Sequence, residues 1–349
     1  MIEETKVIIN KFLDTHSLSL EEYQHLILYR DVDTYDLLQK EALRLRHEIY
    51  GKKVFIRGLI EISNYCKNDC YYCGIRRSNR NCERYRLSEE EILTCCDNGY
   101  QLGFRTFVMQ GGEDSFIFDD FLCGLIKKIK AKYPDCAVTL SLGERSTESY
   151  KMLFSAGADR YLLRHETADA KHYSKLHPEN LSLKNRINCL YELKKIGFQV
   201  GCGMMIGSPY QTAFNVAKDL KFIENFKPDM CGIGPFIPHR ETPFANFESG
   251  DVFLTCYLLA IIRIIQPNIL LPSTTALGSI APDGREKGIL ASANVLMPNL
   301  SPALVRNKYM LYNNKLNTGA ESAEKLDELK KRIESIGYEI VCDRGDIKK

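Results

Sequence analysis

Cys66, Cys70 and Cys73 stand close together in the run Cys66-Lys-Asn-Asp-Cys70-Tyr-Tyr-Cys73. Three thiols this near one another belong on a loop wrapped around a single object. Thiolates are soft ligands that suit zinc or an iron–sulfur cluster. A structural zinc ion takes four ligands, and no fourth cysteine or histidine lies at short spacing, since Cys82 follows nine residues later. A 4Fe-4S cluster normally takes four cysteines as well. Three ligands therefore leave one iron open to a small molecule, as catalytic zinc keeps a free position.

Other polar residues fall at comparable places along the chain. They are Gln110-Gly111-Gly112-Glu113-Asp114, Thr139 with Ser141, Arg164-His165-Glu166-Thr167, His239, Thr274-Thr275 and Asn299. Each alone has a plain structural explanation: Gly111-Gly112 as a turn, His239 as a surface histidine, Tyr309 and Tyr312 as core. What matters is that each follows, or lies near the end of, an apolar, β-branched run.

Those runs are the elements that must position them. Strands are expected at 54–62, 106–110, 137–142, 160–165, 199–206, 230–237, 269–275 and 294–298. Amphipathic helices fit between them, near 88–101, 117–132, 146–156, 182–196, 212–226, 251–266 and 284–291. Ser88 with Glu91 makes a capping box. Gly103, Gly157 and Gly197 sit where helices should stop. Strands alternating with helices imply parallel pairing through right-handed crossovers. Eight such units predict an α/β fold, a (β/α)8 barrel, with active-site groups on the loops after the strands. An open doubly wound sheet is the alternative. The expected organisation is an N-terminal helical extension over 1–50, the barrel over 51–312, and a C-terminal extension over 313–349 with a charged helix at 321–336 and a short strand at 337–342.

The 47 basic and 45 acidic residues nearly cancel, which argues against nucleic acid or an anionic membrane as partner. No apolar run approaches the roughly 20 residues of a membrane helix. The start, MIEETKVIINKFLDTHSLSL, lacks the basic and apolar regions of a secretory signal. With thirteen cysteines in a long chain, reduced thiols are expected rather than a disulfide framework. The expectation is a cytoplasmic protein.

The cysteine run after the first strand, with Gly-Gly-Glu after the second, resembles the radical S-adenosylmethionine (SAM) superfamily. The segments IEISNYCKNDCYYCGIRR, VMQGGED, VTLSLGE, RYLLRHETAD, GIGPFIPHRETPFAN, LPSTTALGSI and NVLMPN are similar to FeFe-hydrogenase maturases of the HydE type. The resemblance implies one 4Fe-4S cluster, held by Cys66, Cys70 and Cys73, that reductively cleaves bound SAM to methionine and a 5′-deoxyadenosyl radical. It places Tyr72 near the adenine. It assigns Gln110 and Gly111-Gly112-Glu113 to the methionine amino end, Ser141 and Glu166 to SAM, and Arg186 to the SAM carboxylate. Arg164, Thr139, Thr274, Thr275, Tyr309 and Tyr312 would line the substrate cavity. The implied substrate is a small molecule or small iron complex. The implied partners are a reductant such as ferredoxin or flavodoxin and other hydrogenase maturases. Many relatives carry three further cysteines near the C-terminus, whereas only Cys342 follows Tyr312 here, so a second cluster is not expected.

Two related enzymes are rivals. Biotin synthase holds a second cluster on strand cysteines whose counterparts here are Val108, Thr139 and Gly201. Methylornithine synthase shares the cysteine loop but matches less well at Arg164-His165-Glu166-Thr167 and at Leu271–Thr275. A non-enzymatic iron–sulfur carrier is the third alternative.

Overall fold

The computed structural model describes residues 3–348; residues 1, 2 and 349, in the expected terminal extensions, lie outside it. Three helices come first: α1 (Glu3–Thr15), α2 (Leu20–Leu28) and α3 (Val32–Tyr50). Ser19 with Glu22 and Asp31 with Thr34 close capping boxes that fix where α2 and α3 begin. The helix at 252–265 (VFLTCYLLAIIRII) is apolar on nearly all sides because α3 packs over it from outside.

Eleven short strands follow among the described residues: β1 (Lys53–Ile56), β2 (Gly58–Ser63), β3 (Thr106–Gly111), β4 (Ala137–Ser141), β5 (Arg160–Leu162), β6 (Gln199–Cys202), β7 (Met205–Ile206), β8 (Met230–Cys231), β9 (Gly234–Pro235), β10 (Val295–Leu296) and β11 (Glu339–Val341). All pairings between them are parallel. The order β2-β3-β4-β5-β6-β8 continues through the bridges Met230–Leu270 and Pro272–Val295 to β10 and β1. This closes the sheet into the expected barrel rather than an open sheet. The strands are buried almost throughout, as expected for parallel strands covered on both faces.

Three expected strands are each divided in two. The first breaks at Arg57, and those at 199–206 and 230–237 break at Gly203 and Gly232. There the two backbones press together: a Cβ on Gly203 would lie 2.1 Å from the Gly232 carbonyl oxygen. The expected strand at 269–275 survives only as single bridges at Leu270 and Pro272. The principal helices, 89–101, 119–132, 147–155, 183–196, 213–226, 252–265 and 284–290, match expectation to within two residues. Short helices at 170–176 and 275–280 were not foreseen from the sequence. The C-terminal helix occupies 326–335, shorter than expected, and β11 pairs with β1. The last residues cover the bottom of the barrel, where Thr106 Oγ1 donates to the Arg344 carbonyl and Arg160 pairs with Asp346. No helix of the described residues is long and apolar enough to cross a membrane.

Candidate active site

The strand ends surround a cavity of about 360 Å³. Cys66, Cys70, Cys73, Tyr72, Gln110, Gly111, Gly112, Glu113, Ser141, Arg164, Glu166, Arg186, Thr274, Thr275, Tyr309 and Tyr312 all line it. Thr139 does not. It stands on the same face of β4 as Ser141, one pleat deeper, where the barrel is already filled, and its hydroxyl is buried without a partner.

The cysteine loop is fixed by backbone bonds from many directions. Lys67 N–H donates to the Glu113 carbonyl, Tyr71 N–H to Leu176, Gly74 N–H to Leu311 and Arg77 N–H to Asn68. Asn64 spans the loop base, donating from Nδ2 to the carbonyls of Glu83 and Lys308. Burial raises the thiol pKa of Cys66, pushes that of Cys70 up to about 12 and holds that of Cys73 well above its ordinary value. Thiolates form here only with compensating positive charge, which iron supplies. Among the described residues, no three His, Cys, Asp or Glu side chains converge so as to hold a single metal ion. Three cysteines on one loop suit a cluster, whose irons each take a different cysteine.

Gly112 passes so close to this loop that a Cβ would lie 2.1 Å from the Tyr65 carbonyl oxygen and 2.8 Å from Cys66 Cβ. Only glycine lets the turn after β3 meet the cysteine loop. Tyr72 donates its hydroxyl to His177 Nε2 at 3.1 Å, and His177 Nδ1 lies 3.0 Å from the Tyr173 carbonyl. The imidazole is therefore the neutral Nδ1–H form, and burial holds its pKa down at about 3.

Arg186 projects from the helix 183–196. Its Nε lies 2.7 Å from Glu144 Oε1, and its second nitrogen lies 3.6 Å from Glu113 Oε1. Glu144 lies within a segment noted for its resemblance, but nothing marked it as the partner of a residue so far along the chain. Arg164 pairs with Glu166 at 3.2 Å, leaving the Arg164 Nε unpartnered. Glu166 adopts φ +64°, unusual for a side-chain-bearing residue, and its N–H donates to the Gly203 carbonyl. Beside it, Gly203 N–H donates to His165 Nδ1, so the ring proton on Nε2 faces Asp219 at 3.2 Å, with both side chains fully buried. His239, one of the polar residues expected near the strand ends and not the surface histidine of its plain explanation, is buried against the cysteine loop, its ring 2.5 Å from where a Gly74 Cβ would be.

Sequence reasoning missed a second set of charges. Lys315 Nζ lies 2.6 Å from Glu61 Oε1, both buried, and Asn299 donates to the other Glu61 oxygen. Arg285 forms a buried pair with Glu321, which also receives the Thr275 hydroxyl. Glu61 sits mid-strand on β2, Glu321 opens the segment expected as the C-terminal helix but lies ahead of the helix itself, and Lys315 comes from an irregular segment with no periodic signal.

The chain matches the radical SAM superfamily over residues 60–223. The [FeFe] hydrogenase maturase subunit HydE of Thermotoga maritima is 41% identical over 337 residues, covering 97% of this chain and 96% of that protein. The chain belongs to this family of radical SAM enzymes. The 3-methylornithine synthase of Methanosarcina acetivorans is 27% identical, covering 94% of this chain and 92% of that protein. In fold, the HydE-family chain is similar to a crystal structure of methylornithine synthase, with a TM-score of 0.83 at 23% identity over 96% of this chain and 97% of that one. It is also similar to a crystal structure of the maturase HydG, with a TM-score of 0.79 at 21% identity over 96% of this chain and 75% of that one. Membership of the superfamily implies a 4Fe-4S cluster and SAM, and the donor set described above fits both. Three thiols face the open space, and an arginine held between two carboxylates sits beside it.

Proposed function

We propose that this enzyme acts in assembling the di-iron centre of FeFe-hydrogenase, on a small iron complex carrying carbon monoxide, cyanide and a cysteine ligand. The observation that carries this reading is the 41% identity to the HydE maturase across 97% of the chain. The cavity suits a compact anionic guest. It offers Arg164 with a free Nε and the unpartnered, buried hydroxyl of Thr274. Tyr309, also on the wall, is nearly fully buried, with Gln110 Nε2 3.4 Å from its hydroxyl.

One cluster per chain is proposed, since only Cys66, Cys70 and Cys73 of the thirteen cysteines line the cavity. Bound there with SAM, it supplies the one-electron cleavage that yields methionine and a 5′-deoxyadenosyl radical. The protein's part is to orient and to exclude water. Tyr72, locked by His177 and packed near Met205 and Phe236, would present a fixed edge to the adenine. Arg186 would take the SAM carboxylate through its charge, while Glu113 and Glu144 hold the guanidinium in place. Gln110 and the Gly112 turn would receive the amino end, and Ser141 and Glu166 the ribose side. Ferredoxin or flavodoxin would supply the electron, and other maturases the substrate or the acceptor.

Adding the protein to an extract lacking its maturase should restore hydrogenase activity, and lysine should remain unrearranged. Conversion of lysine to methylornithine with hydrogenase still inactive would overturn the substrate assignment. An intact cluster that never cleaves SAM under strong reductant would favour the carrier alternative.

A further inference from the structure

Five arginines, Arg76, Arg77, Arg80, Arg84 and Arg86, follow the third cysteine almost at once. Three have structural work. Arg76 Nε donates to Asp69 at 2.7 Å. Arg84 donates to the carbonyls of Asn64, Ile75, Arg76 and Asn79, stitching the loop to itself. Arg86 pairs with Asp114 at 2.6 Å and stacks over Tyr65. Arg77 and Arg80 differ. Both are exposed, and neither has an acidic partner among the described residues.

Their surroundings extend the positive charge. The Arg77 N–H bond to Asn68 sets it beside Lys67, which is 54% exposed. Asn81 donates to Glu241 at 2.9 Å, bringing the loop against Arg240, which is 82% exposed with its nearest acid 3.8 Å away. The acids nearby are already engaged: Asp69 by Arg76 and Ser78, Glu83 by Lys308, Glu113 by Lys67 and Arg186. Counting Glu241 against Arg240 and Glu113 against Lys67, the ridge keeps an excess of two arginines, as large as the net charge of +2 carried by the whole chain. The ridge lies on the outside of the loop whose cysteines face the cavity.

We propose that Lys67, Arg77, Arg80 and Arg240 form the docking surface for an acidic one-electron carrier protein. The carrier loses one electron and the cluster gains it, with no atom transferred. The proposal rests on the reading that the loop holds a 4Fe-4S cluster. Charge complementarity commits the surface to an acidic partner, since opposite charges steer encounter and raise the association rate.

The test uses reconstituted full-length protein, with flavodoxin hydroquinone as the probe. At ~20 mM salt, Arg77→Glu/Arg80→Glu should slow cluster reduction by about tenfold or more, and the gap should close near ~500 mM salt as screening removes steering. Calorimetry should show weaker flavodoxin binding to the same variant. Reduction by dithionite should be unchanged, as should flavodoxin reduction of Lys195→Glu, a charge reversal on the outer helix 183–196. An unchanged flavodoxin rate, or an equal loss with dithionite, would overturn the docking assignment while the cluster reading stood. If Mössbauer spectra of the wild-type protein show no 4Fe-4S cluster, the cluster reading falls and the proposal falls with it.

Discussion

Arg186 and Glu144 meet at 2.7 Å across a gap of 42 residues in the chain, with Glu113 on the other side of the guanidinium. Removing the arginine would leave two carboxylates facing each other in a poorly hydrated pocket. Arg186→Ala should therefore weaken SAM binding by roughly 1.5–3 kcal/mol, the range for hydrogen bonds to charged groups. Glu144→Gln should weaken it less, because the arginine stays and Glu113 still faces its guanidinium. Equilibrium dialysis of SAM against cluster-loaded protein measures both, and equal affinities for wild type and Arg186→Ala would remove the residue from the SAM site.

His177 ties pH to the adenine end of the cavity. Its folded-state pKa is held at about 3, chiefly by burial, against a usual value near 6.5. The unfolded chain binds this proton first, so the stability contribution is full above about pH 6.5 and is lost as pH falls toward 3, by roughly 1.4 kcal/mol per pH unit. Protonation would also take away the acceptor for the Tyr72 hydroxyl. Denaturation midpoints between pH 7 and 4 should fall more steeply for wild type than for His177→Gln, and parallel curves would exclude this origin.

The Glu61–Lys315 pair joins the barrel wall to the segment that crosses its mouth. Breaking a buried pair leaves an uncompensated charge and costs about 3–5 kcal/mol. Lys315→Met should destabilise by that order, and adding Glu61→Gln should recover part of the loss. Chemical denaturation of the two singles and the double, taken as a cycle, decides whether the two residues are coupled.

Metal content separates the cysteines. Reconstituted protein should carry about four irons per chain. Cys66→Ala should abolish the cluster, and Cys342→Ala, which alters an exposed thiol, should leave it unchanged. Iron content near eight per chain, or tight zinc in place of iron, would contradict the single-cluster reading.

Local signals carried most of the architecture. The apolar runs and the helical repeats between them located the barrel, and Ser88 with Glu91 fixed a helix start that the structure reproduces. The cysteine spacing and Gly-Gly-Glu pointed to residues that line one cavity, because loops after parallel strands gather at one end of a barrel whatever their length. Such signals are legible because they depend on neighbours within a turn or a strand.

Tertiary structure decided what depends on distant partners. Whether Arg164 would be free or paired could not be read from its strand; it depends on Glu166 turning back at φ +64°, a conformation held by Gly203 and by His165 against Asp219. Thr139 has the same chemistry as Thr274, but only the depth of the barrel filling shows that one lies beneath the cavity and the other on its wall. Lys315 carries no periodicity or motif, and Glu144 and Glu321, though each falls within a recognised segment, carry no sign of their partners. They matter because burial makes an unpaired charge costly, and only the closed fold determines which charges are buried together.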